Sequence, residues 1–204
     1  LIFYRSALPV ITIFLFLLYI YKSNIFKSFI LIGKIGILYA LLYAITHVCF
    51  VYSIQNTSVA NTLVLIAAAP IFAAIFSIFI LKEIPNIFTW IIIFIALTGM
   101  IIIGLGSYTT SGIFGDLMAL IVALGMGFSM VLVRFYKDKD LVPACLIGCI
   151  IAGLYALPFD INFELNSYQI IVILIMCLII LPIPFMILTI APKYAPAHEV
   201  ALIF

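Results

Sequence analysis

The sequence predicts an all-α, polytopic transmembrane bundle, and three observations carry that prediction. Seven long apolar stretches fill nearly the whole chain. Hydrophobic residues make up 68% of it and charged residues only 8%, with a mean hydropathy of +1.47. The few basic residues alternate from one connection to the next. A water-soluble domain keeps a polar shell that this composition cannot supply. A stretch of about 20 apolar residues matches a hydrocarbon core of about 30 Å.

Hydropathy set against Gly, Pro and charge places spans near 6–21, 32–54, 60–81, 87–105, 115–135, 141–158 and 168–190, with an eighth beginning near Pro196. The first ends at Lys22, and the second runs from the Lys34 region to the polar turn at Gln55 and Asn56. Asn61 and Thr62 open the third, which Lys82 and Glu83 close. The fourth stops at the glycine-bounded connection from Gly106 to Gly112. Asp116 and Arg134 bound the fifth. Asp160 and Glu164 follow the sixth, and Lys193 follows the seventh. Short connections make consecutive helices antiparallel neighbours.

The charges orient the bundle. Lys22, Lys27 and Lys34 occupy the first connection, Lys82 the third, Arg134, Lys137 and Lys139 the fifth, and Lys193 the seventh. Eight of nine Lys and Arg residues thus fall on one alternating set of connections, with Arg5 alone on the other. The positive-inside rule makes that set cytoplasmic. One helix more or fewer would scramble the alternation.

The chain opens at Leu1 without a methionine and closes at Phe204 inside an apolar run, so a fragment of a longer protein is expected. The opening span lacks the basic leader and small-residue cleavage site of a signal peptide. The cysteines, Cys49, Cys145, Cys149 and Cys177, all lie within apolar runs, which excludes a secreted disulfide framework. Cys145 and Cys149 share a helix face, but no third metal ligand stands near them, and they read as small buried thiols.

Val59 to Ile66 and Pro196 to Ile203 each follow a polar connection and open a span, 137 residues apart. The same offset lays span 6–21 on span 141–158. Five spans fit within it, and an odd number forces the second unit to enter the membrane upside down. Inverted repeats of this kind characterise transporters, with binding near the repeat interface.

Ala60-Asn61-Thr62-Leu63, Pro70-Ile71-Phe72 and Leu81-Lys82-Glu83, followed by the span containing Gly99, resemble the EamA type of the drug/metabolite transporter superfamily. Gly115-Asp116-Leu117-Met118-Ala119-Leu120, leading on to Arg134, resembles the start of that family's second repeat. The resemblance implies a ten-helix parent, with residues 1–112 the remainder of the first five-helix repeat and 113–204 the start of the second. The first helix and the last two are then missing. It also implies secondary-active transport of small metabolites such as amino acids or nucleotide-related compounds, commonly export, from a bacterial cytoplasmic membrane.

His47 is the ionisable side chain placed well inside a span, where ionisable groups are costly and usually functional. Tyr39, Tyr43 and His47 stand four residues apart on one helix face. They either line a cavity or pack and bond to neighbouring helices. Gly36, Ala40 and Ala44 form an adjoining small stripe that suits close helix packing. Pro182 and Pro184 interrupt the seventh span, and Pro184 falls opposite His47 at the 137-residue offset, shaping a pseudo-symmetric wall. Asn61 and Thr62 either face the transport path or cap their helix; Pro70 bends that span midway. Ala69, Ala73 and Ser77, then Ala119, Ala123 and Gly127, then Ala144, Gly148, Ala152 and Ala156, recur as small-residue stripes for packing or sliding.

The depth of Glu83 argues for a boundary or gating role over proton carriage, and Asp116 and Arg134 read as boundary charges. No carboxylate lies near the bilayer centre, which leaves His47 as the group able to titrate near neutral pH. Arg5 either draws in anions or meets lipid headgroups. Substrate contact is thus expected at Tyr39, Tyr43, His47, Asn61, Thr62 and Pro184, with no catalytic residue, no metal and no cofactor. Nucleotide-binding, zinc-protease and nucleophile-elbow motifs are absent, and no enzyme is expected. The expected partners are a small-molecule substrate and membrane lipid, without nucleic acid, and a homo-oligomer is left open. The rival from another class is a membrane scaffold that transports nothing.

Overall fold

The computed structural model of the chain describes residues 2–106, 112–157 and 166–203, and within them it holds helices and no strand. Among the described residues, five segments are long and apolar enough to cross a membrane: Phe3–Tyr21, Gly33–Asn56, Val59–Leu81, Ile113–Phe135 and Tyr168–Lys193. Shorter apolar helices, Ile87–Gly99 and Val142–Ala156, stand where the fourth and sixth spans are expected. Asp160 and Glu164 lie outside the described residues.

The first span is α1 (Ile2–Tyr21). The connection after it is not plain coil: it contains the short α2 (Ile25–Leu31), in which Ile25 and Ser28 are buried. The second span is α3 (Gly33–Asn56). The third is built from α4 (Val59–Ile66), α5 (Ala69–Phe76) and a π turn at Ser77–Leu81. Then come α6 (Ile87–Gly106), α7 (Ile113–Phe135) and α8 (Val142–Ala156). The seventh span comprises α9 (Ser167–Ile175), a π turn at Met176–Ile180 and α10 (Pro182–Ile190), and α11 (Ala197–Ile203) follows.

Proline explains both interruptions. Pro70 has no N–H, so the Ile66 carbonyl loses its donor four residues on. The helix stops at Ile66 and restarts at Ala69 with proline in its first turn. The break therefore falls at Ala67 and Ala68, just ahead of the proline. In the seventh span Pro182 denies a donor to the Leu178 carbonyl. Thr12 Oγ1, from α1, donates to that carbonyl at 2.7 Å. The Leu181 N–H reaches back five residues to Met176 at 2.9 Å, which widens the turn.

The chain divides into two compact units. The first joins Leu1–Ala44 to Asp138–Ile190. In it α1 packs along α8, and the Gly153 Cα face meets Ser6 and Ala7. A side chain at Gly148 would strike the Ala40 carbonyl at 2.8 Å, so α8 and α3 approach backbone to backbone. Ala144, Gly148, Ala152 and Ala156 are all buried, and this stripe packs.

The second unit joins Ile45–Lys137 to Ala191–Phe204. Here α7 runs against α4 and α5, and α11 lies against α5 and α7. Ala69, Ala73 and Ser77 interlock with Ala119, Ala123 and Gly127, all buried. A β-carbon at Gly127 would sit 2.8 Å from the Ala73 nitrogen and 3.0 Å from the Ala69 carbonyl oxygen.

Contacts between connections within each unit follow the expected alternation. Tyr21, at the first connection, donates to Asp140, at the fifth. The Gly112 N–H, at the fourth, donates to Asn56, at the second, at 3.3 Å. Arg134, from the fifth, meets Glu83 from the third and the Lys193 carbonyl from the seventh. Odd connections meet odd and even meet even.

Two substitutions test these joints. Thr12→Val leaves the Leu178 carbonyl without this donor and is expected to cost about 1 kcal/mol in detergent unfolding. Gly127→Ala pushes α7 off the α5 backbone and is expected to cost roughly 1–3 kcal/mol by the same measurement.

Candidate functional site

Tyr39 and Tyr43 lie in the first unit, both nearly sealed, with 4% and 6% of their surface exposed. Their hydroxyls face protein partners. Thr189 Oγ1 donates to the Phe185 carbonyl at 2.8 Å and, its one proton spent, accepts from the Tyr39 hydroxyl and from Cys145 Sγ, each at 3.0 Å. Cys149 Sγ donates to the Tyr43 hydroxyl at 3.8 Å, and the Tyr43 ring meets Phe185 edge-on at 5.4 Å. The thiols at four-residue spacing are thus partners of the tyrosines at four-residue spacing. Among the described residues no three His, Cys, Asp or Glu side chains gather to hold a metal ion. Arg5 lies within electrostatic reach of Tyr43 and Cys177, on the inward side of its helix. Pro184 is exposed on α10, whereas Pro182 is buried.

His47 is buried in the second unit, with 4% exposure. The start of the third span is capped by neither Asn61 nor Thr62. Ser58 is the helix cap: its side chain accepts from the Asn61 N–H at 3.0 Å. Asn61 Nδ2 instead donates to Asp116 Oδ1 at 2.7 Å and to Thr57 Oγ1 at 3.3 Å. Thr62, fully buried, donates to the Ser58 carbonyl at 3.1 Å and accepts from Ser53 Oγ at 2.8 Å. Gly112 and Gly115 press on the Asn56–Thr57 backbone, where a side chain at Gly115 would come within 2.8 Å. Asp116 is thereby an α4–α7 tie as well as a boundary charge.

Beside the α4–α5 break is a mostly apolar cavity of about 200 Å³. Ile66, Ala67 and Pro70 of the break form one wall, and Met126 and Met130 of α7 another. Leu63, one residue beyond Thr62, continues the first wall. Pro70 leaves the Ile66 carbonyl without its intrahelical donor, and both residues line this space. Methionine walls adapt readily to differently shaped apolar groups.

At the opposite end of α5, Arg134 Nη2 and Nε each lie 3.1 Å from Glu83 Oε1, and Nη1 donates to the Lys193 carbonyl at 3.2 Å. Arg134, expected as a boundary charge, and Glu83, expected in a boundary or gating role, are one ion pair. Lys82, immediately before Glu83, is exposed and takes a left-handed conformation (φ 57°), which turns Glu83 back so that its N–H reaches the Ser77 carbonyl at 3.3 Å.

Sequence reasoning overlooked Thr12, Thr189 and His198. The missing N–H of Pro182 signalled that some donor was needed at Leu178, though not which one. His198 stands one residue into α11 and is as buried as His47.

A family model described as the EamA-like transporter family matches residues 1–105 of the 204. No curated protein and no solved structure matches the chain.

Replacing Thr62 by the isosteric valine removes the acceptor for Ser53 and the donor to Ser58 in a sealed site. A loss of about 1–2 kcal/mol is expected, read from unfolding in detergent.

Proposed function

The chain belongs to the EamA-like transporter family, and from that premise we propose that it is a secondary-active transporter of small metabolites, such as amino acids or nucleotide-related compounds. It works by alternating access and exports its substrate across a bacterial cytoplasmic membrane. The inverted repeats over 1–112 and 113–204 belong to this proposal, since rocking of one half against the other is the usual motion of such carriers. The observation that carries it is the α4–α5 break beside its cavity. Irregular backbone at membrane depth is tolerated where it faces a cavity or packed protein, and broken helices commonly bind substrate in carriers.

In this proposal the apolar part of the substrate occupies the cavity, and Asn61, Thr62 and His47 supply polar contacts in the second unit. Tyr39, Tyr43 and Pro184 belong to the first unit. Contact between substrate and the tyrosines requires exchange of their bonds to Thr189 and Cys149, and contact with Thr62 requires exchange of its bond to Ser53.

Reconstituted protein in both orientations, given a panel of labelled amino acids, nucleosides and nucleotide-like metabolites, is expected to show saturable flux. Ala96 also lines the cavity and is exposed, so Ala96→Phe fills the space without disturbing a buried contact. Flux is expected to fall about tenfold or more in Ala96→Phe and in His47→Gln, as for a lost interaction of about 1.4 kcal/mol or more. Unchanged flux in Ala96→Phe, at equal abundance, removes the cavity from the path.

A further inference from the structure

Among the polar atoms of the second unit that are buried without a hydrogen-bond partner in the described residues are Ser77 Oγ, Glu83 Oε2 and His198 Nδ1. Buried polar groups are nearly always paired, so each such atom asks for an explanation. The π turn after α5 and α11 both pack on α7, and Glu83 is tied to α7 through Arg134. Ser77 is completely buried and His198 is 4% exposed. His198 lies within electrostatic reach of Glu83 and Arg134. Glu83 commits one oxygen, Oε1, to Arg134, which leaves the other carboxylate oxygen inside the protein with nothing to accept from. A buried carboxylate oxygen and a buried imidazole nitrogen, each without a partner, lack the same thing, a proton shared between them.

We propose that Glu83 and His198 form a proton-binding site, with Arg134 as its fixed counter-charge. A proton from water adds to the His198 imidazole at Nδ1; no covalent bond breaks. The imidazolium N–H then gains Glu83 Oε2 as acceptor, and the carboxylate divides its charge between two cations in place of one. Arg134 is thereby held less tightly. Since Arg134 also holds the Lys193 carbonyl just before α11, taking up the proton alters the tie between α7 and the chain entering α11. The other charged groups around the site are peripheral: Glu199 is exposed beside His198, Lys82 is exposed beside Glu83, and the Lys193 side chain is half-buried. Tyr194 is exposed. Resting on the transporter reading, this site supplies the coupling ion of the carrier, a proton. The carboxylate's depth, which by sequence alone argues against proton carriage, no longer decides the matter once a buried histidine stands near it.

The chain has two histidines, His47 and His198, so the imidazole ¹⁵N spectrum of reconstituted protein is simple to assign with His47→Gln and His198→Gln. Titrating from pH 8 to pH 4.5, the His198 signals are expected to move from neutral imidazole to imidazolium. In Glu83→Gln the midpoint is expected to fall by about 1 pH unit or more, the usual effect of removing a close opposite charge. In Arg134→Gln, where a like charge is removed, it is expected to rise. A His198 that stays neutral across the range, or that titrates identically in Glu83→Gln, overturns the proposal. Titration that behaves as expected in protein that moves no solute keeps the proton site and removes the transporter reading. Solute flux with His198 neutral throughout does the reverse.

Discussion

The satisfaction of backbone hydrogen bonds without water is the constraint on which the rest of this structure depends. In hydrocarbon each unpaired N–H or C=O costs several kcal/mol, so a chain this apolar is driven into helices. Wherever proline interrupts the ladder, some other group has to step in or the opening has to face a cavity. The seventh span takes the first course, with Thr12 of α1 supplying the donor that Pro182 lacks. The third takes the second, its break at Ala67 and Ala68 standing beside open space. Two prolines with the same chemistry thus yield a structural joint in one unit and a candidate binding wall in the other.

Helix association follows from a second consequence of the solvent. Lipid tails are as apolar as leucine, so large apolar side chains have no reason to leave them, and close contact is made by small residues and polar ties. The exposed faces are accordingly rich in Ile, Leu and Phe, while the contact faces carry Ala, Gly and Ser. Gly127 lets α7 meet the α5 backbone, and Gly148 lets α8 meet α3. Polar ties then set the registers: Asn61 with Asp116, Ser53 with Thr62, and Tyr39 with Thr189. Such ties can be exchanged for one another more readily than an interdigitated apolar core can be repacked.

The polar groups fall into two kinds. Thr189 has its single proton and both lone pairs engaged, which marks the Tyr39–Cys145 seam as architecture. The group around Glu83 and His198 leaves buried polar atoms without partners. Saturated polar clusters rigidify; unsaturated ones are where a further species binds. Reading the two kinds apart requires knowing every partner of every atom, and this is why residue type alone left Tyr39, Tyr43 and His47 between packing and binding.

The sequence by itself determined the solvent, the helical class, the spans and which connections share a side, because these depend on composition and on spacing along one chain. Small-residue stripes at four-residue intervals also announced which faces pack. Only the tertiary structure decided that Ser58 caps the third span, that Asn61 turns to Asp116, that Glu83 pairs with Arg134, and that Pro184 is exposed while Pro182 is buried. Each of these depends on rotation of one helix about its axis against another, and a hydrophobic pattern that is apolar on all sides carries almost no information about that rotation. In a soluble helix the polar face reveals which side is out; in a membrane both sides are apolar, and the few polar atoms find one another only when the helices have packed.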